Sequence, residues 1–220
     1  GKAITYREDE ETKKRSWYYE NGNLKAEGVY LNGKEDGRFK WYYPKGSIKA
    51  EVDFVNGKKE GEAIYYHQDT NKIEKKGFFK NDAYDGKWVY YYPGSGRVKS
   101  ELLYLNGKRN GECLWYYENG NLKEKTIYIN GMEEGESSWY YESGALQEKA
   151  VFKKGKINGM HYFYYPQGSL KEEGPYEDGK EHGTFILYNP DGTVKKRIIF
   201  EKGRRIKEIY PDNKALERIK

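Results

Sequence analysis

The chain has 220 residues, of which 36% are apolar and 17% aromatic, with 24 Tyr against 2 Met. A core of Leu, Ile and Val is not available, and the aromatic content argues against a disordered chain, which is poor in such residues. Forty basic and 35 acidic residues leave a net charge of +5 with the signs interspersed, so no continuous positive track for nucleic acid is encoded.

The chain begins at Gly1 inside a repeat: Tyr6 precedes Trp17 by the 11 residues that separate Tyr30 from Trp41. An upstream segment, a signal or part of a longer chain, is therefore expected. The compartment, cytoplasmic or exported, stays open. The phrase Trp-Tyr-Tyr-X-X-Gly then runs from Trp17 to Gly22 and returns intact at Trp41, Trp115 and Trp139, with near-copies starting at Tyr65, Tyr90, Phe163 and Leu187. The start-to-start steps are 24, 24, 25, 25, 24, 24 and 24 residues, a fixed period that marks a repeat architecture.

Each unit carries two extended runs rich in aromatic and β-branched residues, bounded by Gly, Pro and Asn. In the second unit these are 37–43 and 48–55. Asn-Gly is the strongest short hairpin signal, because a type I′ turn needs positive φ at both central positions. It occurs at Asn21-Gly22, Asn32-Gly33, Asn56-Gly57, Asn106-Gly107, Asn119-Gly120 and Asn130-Gly131. With Lys45-Gly46 as a two-residue turn, Tyr43 faces Ile48, Trp41 faces Ala50 and Phe39 faces Val52. Lys40 then opposes Glu51 and Arg38 opposes Asp53, so one face is apolar and the other charge-paired. The following Asn56-Gly57 turn predicts Ala63 opposite Ala50 and Tyr65 opposite Ile48. Gly37, Gly61 and their equivalents, four residues before the first aromatic, are expected on the apolar face beneath neighbouring rings, as are Gly28, Gly77 and Gly174. The middle Tyr, present in all eight units from Tyr18 to Tyr188, alternates to the charged face with its hydroxyl in water.

The third unit is irregular: Gln68-Asp69-Thr70-Asn71-Lys72 lengthens its first turn and Asn81-Asp82 replaces Asn-Gly. The fourth has Pro93-Gly94-Ser95-Gly96. These loops are where individual specificity is expected. Residues 1–203 read as the repeat domain. Residues 204–220 read as a degenerate last repeat or a C-terminal cap, with strand and helix both open. The fold class is all-β, an elongated single-layer antiparallel meander of about eight stacked hairpins of 24–25 residues, twisted or curved.

No catalytic constellation stands out. His67, His161 and His182 occupy three different repeat positions, and no His-X3-His or Cys-X2-Cys metal spacing occurs. The single cysteine, Cys113, excludes an intrachain disulfide and falls on the apolar face as a small buried side chain. The Gly-rich loops are hairpin turns rather than phosphate cradles. No apolar run approaches the ~20 residues of a membrane-spanning helix. Neither enzyme activity, nor a cofactor, nor a metal is expected.

The pattern Gly-X3-Trp-Tyr-Tyr-X2-Gly-X-Leu/Ile, followed by an aromatic and Asn-Gly, resembles the MORN-repeat variant found in many bacterial proteins. In the fifth unit Gly111, Trp115, Tyr116, Tyr117, Gly120, Leu122, Tyr128, Asn130, Gly131 and Gly135 carry the match. The resemblance implies stacked hairpins in a long twisted sheet with a groove. Many members bear the name of YwqK-type antitoxins, and others are scaffolds, dimers or lipid-linked proteins. Cell-wall-binding repeats also show Trp-Tyr-Tyr, but they add a second Trp where this chain has Tyr30, Phe54, Phe79 or Tyr104.

An apolar aromatic face with no second layer to cover it marks an interaction surface. Its candidates are the first and third positions of the phrase: Trp17, Tyr19, Trp41, Tyr43, Tyr65, Tyr90, Tyr92, Trp115, Tyr117, Trp139, Tyr141, Phe163 and Tyr165. The expected function is a non-catalytic protein-binding scaffold of antitoxin or immunity type, with a protein partner (a toxin) or a second copy of the chain. The alternative is an exported envelope module binding glycan, host surface or lipid; nucleic acid is not an expected partner.

Overall fold

A computed structural model describes residues 3–8 and 12–211, and every regular element in it is a β-strand. The chain divides into two compact units, Gly1–Gly120 and Asn121–Lys220. The first contains β1 (Ala3–Glu8), β2 (Thr12–Tyr18), β3 (Leu24–Leu31), β4 (Lys34–Tyr42), β5 (Ile48–Val55), β6 (Lys58–Tyr66), β7 (Ile73–Lys80), β8 (Ala83–Tyr91), β9 (Val98–Leu105), β10 (Lys108–Arg109) and β11 (Gly111–Tyr116). Strands β1 to β9 pair antiparallel in succession, and β10 and β11, separated at Asn110, both pair with β9. The second unit contains β12 (Leu122–Ile129), β13 (Met132–Glu133), β14 (Gly135–Tyr140), β15 (Leu146–Lys153), β16 (Lys156–Tyr164), β17 (Leu170–Glu177), β18 (Lys180–Glu181), β19 (Gly183–Tyr188), β20 (Val194–Glu201) and β21 (Arg204–Ile209). It is the same antiparallel meander. The expected all-β hairpin meander is therefore present in both units. Within the stretch 204–220, Arg204–Ile209 is strand; residues 212–220 lie outside the described residues.

Two kinds of turn alternate. At Asn56-Gly57 both central residues have positive φ, 52° and 83°, as a type I′ hairpin requires, and Asn32, Asn106 and Asn130 behave alike. Asn81-Asp82, at 48° and 66°, keeps the same geometry without glycine. Asn21-Gly22 and Asn119-Gly120 depart from expectation: only Gly22 and Gly120 have positive φ. They belong to a three-residue loop, a type I turn closed by a left-handed glycine. The loop after Tyr43 is of this kind too: Gly46 donates to the Tyr43 carbonyl at 2.8 Å and the Tyr43 amide donates to Ser47. Lys45-Gly46 is thus no two-residue turn, and Tyr42, not Tyr43, pairs with Ile48. The pairings further from the turn stand as expected: Trp41 with Ala50, Lys40 with Glu51, Phe39 with Val52 and Arg38 with Asp53.

The Asn-Gly hairpins correct the expected register. Beyond Phe54↔Lys59 the strands resume at Val52↔Ala63, so Ala63 opposes Val52, and Tyr65 opposes Ala50. A bulge around Gly61, whose φ is 110°, absorbs two extra residues. A slip of two leaves every side chain on its expected face. The bulge also explains Gly37 and Gly61 differently: a Cβ on Gly37 would meet nothing within 4 Å, and one on Gly61 would meet Asp53. These glycines supply positive φ and do not make room for rings. Gly28, Gly77 and Gly174 do make room, because a Cβ there would stand 2.2–2.4 Å from the rings of Phe39, Trp88 and Phe185 respectively.

In each unit the core is a column two residues before the first position of the phrase, from the copy at Trp41 onward. Phe39, Ala63, Trp88 and Cys113 form it in the first unit, and Ser137, His161 and Phe185 in the second; all are buried. Within a hairpin Phe39 faces Val52, Ala63 faces Gly77, Ser137 faces Ala150 and His161 faces Gly174. Trp88 is wholly buried, and its indole nitrogen donates to the Phe78 carbonyl at 2.9 Å.

Candidate functional site

The first-position aromatics flank this core column on the same face. Trp17, Trp41, Tyr65, Tyr90 and Trp115 in the first unit, and Trp139 and Phe163 in the second, are all half-buried. Within each unit they form a partly open aromatic row, whereas the closed core lies two residues upstream of those from Trp41 onward. In the first unit Trp17 and Trp41 stand either side of a cleft of about 310 Å³ whose lining also includes Tyr30, Phe39, Phe54, Lys25 and Glu35. Tyr30 packs edge-on against Phe39 at 5.5 Å, and its hydroxyl donates to Glu35 at 3.2 Å. Arg15 lies 4.3 Å from the same ring.

The third-position tyrosines are elsewhere. Tyr19, Tyr43, Tyr92, Tyr117, Tyr141 and Tyr165 follow the last residue of their strands and sit in the turns. The hydroxyls of Tyr19, Tyr43, Tyr92, Tyr141 and Tyr165 each donate to the carbonyl of the middle Tyr one unit on, at 2.7–2.9 Å. Lysines lie over the rings of Tyr19, Tyr43, Tyr92 and Tyr165 at 5.7–5.9 Å. The G1-type turn after the middle Tyr thus places the third ring beyond the strand end, where it staples consecutive repeats.

On the opposite face, opposite charges are paired along the strands. Arg38 bridges Asp53 and Glu62 at 2.7 and 2.9 Å, and Lys87 reaches Glu101 at 2.9 Å. The middle Tyr hydroxyls, expected in water, donate to carboxylates in three units: Tyr42 to Glu27, Tyr66 to Glu51 and Tyr188 to Glu173, at 2.6–3.1 Å. Burial and the Glu27 carboxylate push Tyr42 up to about 12. Although burial opposes it, the bonds from Tyr42 and Lys14 hold Glu27 below its ordinary value.

Two features of the aromatic face escape a reading of the repeated phrase. Both lie in the returning strand, at the residue paired with the first aromatic. In the first unit these residues include Ala26, Ala50 and Ser100, and one cation, Lys75. Lys75 is enclosed by Tyr65 at 4.6 Å and by Tyr84, Trp88 and Tyr90 at 5.7–5.9 Å, and it donates to the Tyr84 hydroxyl. Burial raises Tyr65 to about 12. In the second unit the same position holds Glu124, Glu148, Glu172 and Lys196. The buried His161 meets Glu148 through Nε2 at 2.7 Å, and its Nδ1 has no partner. The change from small to charged residues at one repeat position is visible in the sequence once the register is known.

Cys113 is buried, as expected of its position. Among the described residues no three His, Cys, Asp or Glu side chains are placed to hold a metal ion.

No curated protein matches the chain. Among solved structures it aligns with a chain of a TcdB2-TccC3-Cdc42 crystal structure at 12% identity and a TM-score of 0.24, over 88% of this chain and 13% of that chain's length. It also aligns with a porin-like protein from Bacteroides uniformis at 8% identity and a TM-score of 0.21, over 90% of this chain and 93% of the other. Likenesses so distant say nothing of function. The model of the MORN repeat variant matches residues 11–32, 35–56, 109–130, 133–154 and 157–178. These five segments make up half of the chain. They omit 57–108, where the longer first turns and Asn81-Asp82 fall, although the hairpins there are built alike. MORN repeats are non-catalytic scaffold modules that bind proteins or membranes, and this chain belongs to the MORN repeat variant family.

Proposed function

We propose that the chain is a protein-binding scaffold whose recognition surface is the aromatic face, and that it acts as an antitoxin or immunity protein by covering its partner's working surface. The observation that carries this reading is the row of half-buried first-position rings beside a filled core, opening between Trp17 and Trp41 into the 310 Å³ cleft. Half-buried Trp and Tyr offer large apolar area with little side-chain entropy to lose, the character of interface hot spots. The opposite face, with its charges already paired, has less to offer a partner.

The test is rescue. Cells expressing each toxin candidate encoded beside this gene are co-transformed with the wild-type chain or with Trp41→Glu. Rescue by the wild type and its loss in the folded variant support the proposal. Failure to rescue from every candidate removes the antitoxin role, and undiminished rescue by Trp41→Glu removes the aromatic face. A second reading, glycan binding, draws on the same cleft, where Lys25 and Glu35 border aromatic walls suited to a sugar ring. Glycan-array binding abolished by Trp17→Ala would favour it.

A further inference from the structure

The aromatic faces of the two units differ in charge. Across the second unit one row reads Glu124, Trp139, Glu148, Phe163, Glu172, Leu187, Lys196, each residue paired with the next on the adjoining strand. Carboxylates and rings thus alternate. Lys196 ends the row and is engaged by Glu208. Lys125 and Lys149 of these returning strands alternate to the other face, whereas Lys171 lies in the bulge opposite Phe163 and its charge acts on Glu172. Glu133 and Glu181 add carboxylates on the aromatic side, where Glu133 accepts from Tyr128. A chain with a net charge of +5 therefore presents an acidic aromatic surface here.

These carboxylates are incompletely compensated. Among the described residues Glu124 accepts from the Thr126 hydroxyl at 3.1 Å. Glu148 rests on His161, a side chain 6% exposed whose second ring nitrogen is buried without a partner. Glu172 makes no hydrogen bond or ion pair among the described residues; burial raises its pKa, and the nearby charges of Lys171, His161 and Lys196 offset this only in part. Half-buried carboxylates beside aromatic rings favour an incoming cation, which gains both a charge partner and a π face.

Spacing narrows the partner. The three carboxylates lie on every second strand, so neighbours are about 9.5 Å apart. A polyproline II segment advances about 9.3 Å per three-residue turn and presents every third side chain to one side. We propose that the aromatic face of the second unit docks a basic, polyproline-II-like segment of the partner protein, with Lys or Arg at every third residue set against Glu124, Glu148 and Glu172. The residues between them stack on Trp139 and Phe163, as proline-rich ligands use aromatic grooves. The inference rests on the scaffold reading and specifies its partner.

The probe is an acetylated, amidated (Arg-Pro-Pro)4 peptide carrying a fluorophore, titrated by anisotropy into the full chain. Its isomer with four consecutive Arg and eight consecutive Pro is the control. The periodic peptide is expected to bind about tenfold more tightly than the isomer. Glu124→Gln and Glu172→Gln, near-isosteric changes with little local bonding to lose, are each expected to weaken it about fivefold. Glu20→Gln, in an exposed turn of the first unit, should leave it unchanged. Circular dichroism verifies that each variant is folded. Equal binding of the two isomers, indifference to both Gln substitutions, or equal displacement by spermine at matched amine concentration would overturn the proposal. A chain that still rescues cells through Trp41 but ignores these peptides keeps the scaffold reading and loses this one.

Discussion

Replacing Gly77 by Ala tests the interlocked core directly. The backbone of β7 at this residue is not left-handed, so alanine is unstrained, and it removes freedom from the unfolded chain, a gain of about 0.4–1 kcal/mol. Against this, the new Cβ would stand 2.4–2.6 Å from three ring atoms of Trp88, about 1 Å inside ordinary contact. The ring cannot move freely. It is fully buried, Tyr84 stacks on it at 3.8 Å, and its nitrogen is held by the Phe78 carbonyl. Overpacking costs about 1–3 kcal/mol, and loosening that hydrogen bond about 1 more. The net expectation is a loss of about 2 kcal/mol, concentrated around β7 and β8 because stability in repeat proteins is largely local. Urea unfolding followed by circular dichroism, with amide exchange to locate the loss, measures it. Gly37→Ala is the comparison: its φ of 80° costs about 1–2 kcal/mol, with no atom within 4 Å to clash. Trp88→Leu should therefore cost less in the Gly77→Ala background than in wild type, and the same in the Gly37→Ala background. Unchanged stability in Gly77→Ala, or strict additivity with Trp88→Leu, would refute the ring-over-glycine packing.

Other consequences follow from the bonds between and within repeats. Tyr43→Phe removes the hydroxyl bond to Tyr66 and should cost about 1 kcal/mol, read as faster amide exchange in β6. Asn56→Ala should cost about 1 kcal/mol or more because φ is 52° there, whereas Asn21→Ala, without positive φ, should cost less in thermal unfolding. The Tyr42–Glu27 bond sets two pH limits. The raised tyrosine contributes stability that is whole below about pH 10 and is lost as pH rises through about 12, and the lowered carboxylate contributes stability lost as pH falls through its folded value. Tyr42→Phe should reduce both losses in stability measured across pH.

The repeat period, the strands, their faces and the pairs around Trp41 were legible because period, alternation and turn residues all pointed the same way. The register beyond each Asn-Gly turn was not, since the bulge at Gly61 displaces it by two, and alternation is blind to an even slip. The turns after Trp-Tyr-Tyr were misread for a related reason. Asn21-Gly22 and Asn56-Gly57 are the same dipeptide, but only the latter has two left-handed residues; at the former the hydrogen bond from Gly22 to Tyr19 closes a three-residue loop. The role of the third tyrosines as staples between repeats was hidden with that turn. The core column two residues upstream of the phrase does not stand out in the sequence, because it mixes Phe39, Ala63, Cys113 and His161 and shows no uniform chemistry.

That mixture separates what every repeat must keep from what it can vary. The turn glycines and third tyrosines tie one hairpin to the next through backbone partners, and such contacts tolerate little change. The residue paired with the first aromatic makes no such tie. It can be Ala50, Lys75 or Glu172 without altering the strands that carry it. Its side chain emerges between two rings, so its charge decides what those rings can hold. Lys75 sits within its own aromatic cage, while Glu172 sets a half-buried carboxylate between Phe163 and Leu187. A fixed scaffold with one variable position per hairpin can therefore change partner without changing fold, and selectivity is expected to track this position rather than the Trp-Tyr-Tyr phrase that makes the repeat recognisable.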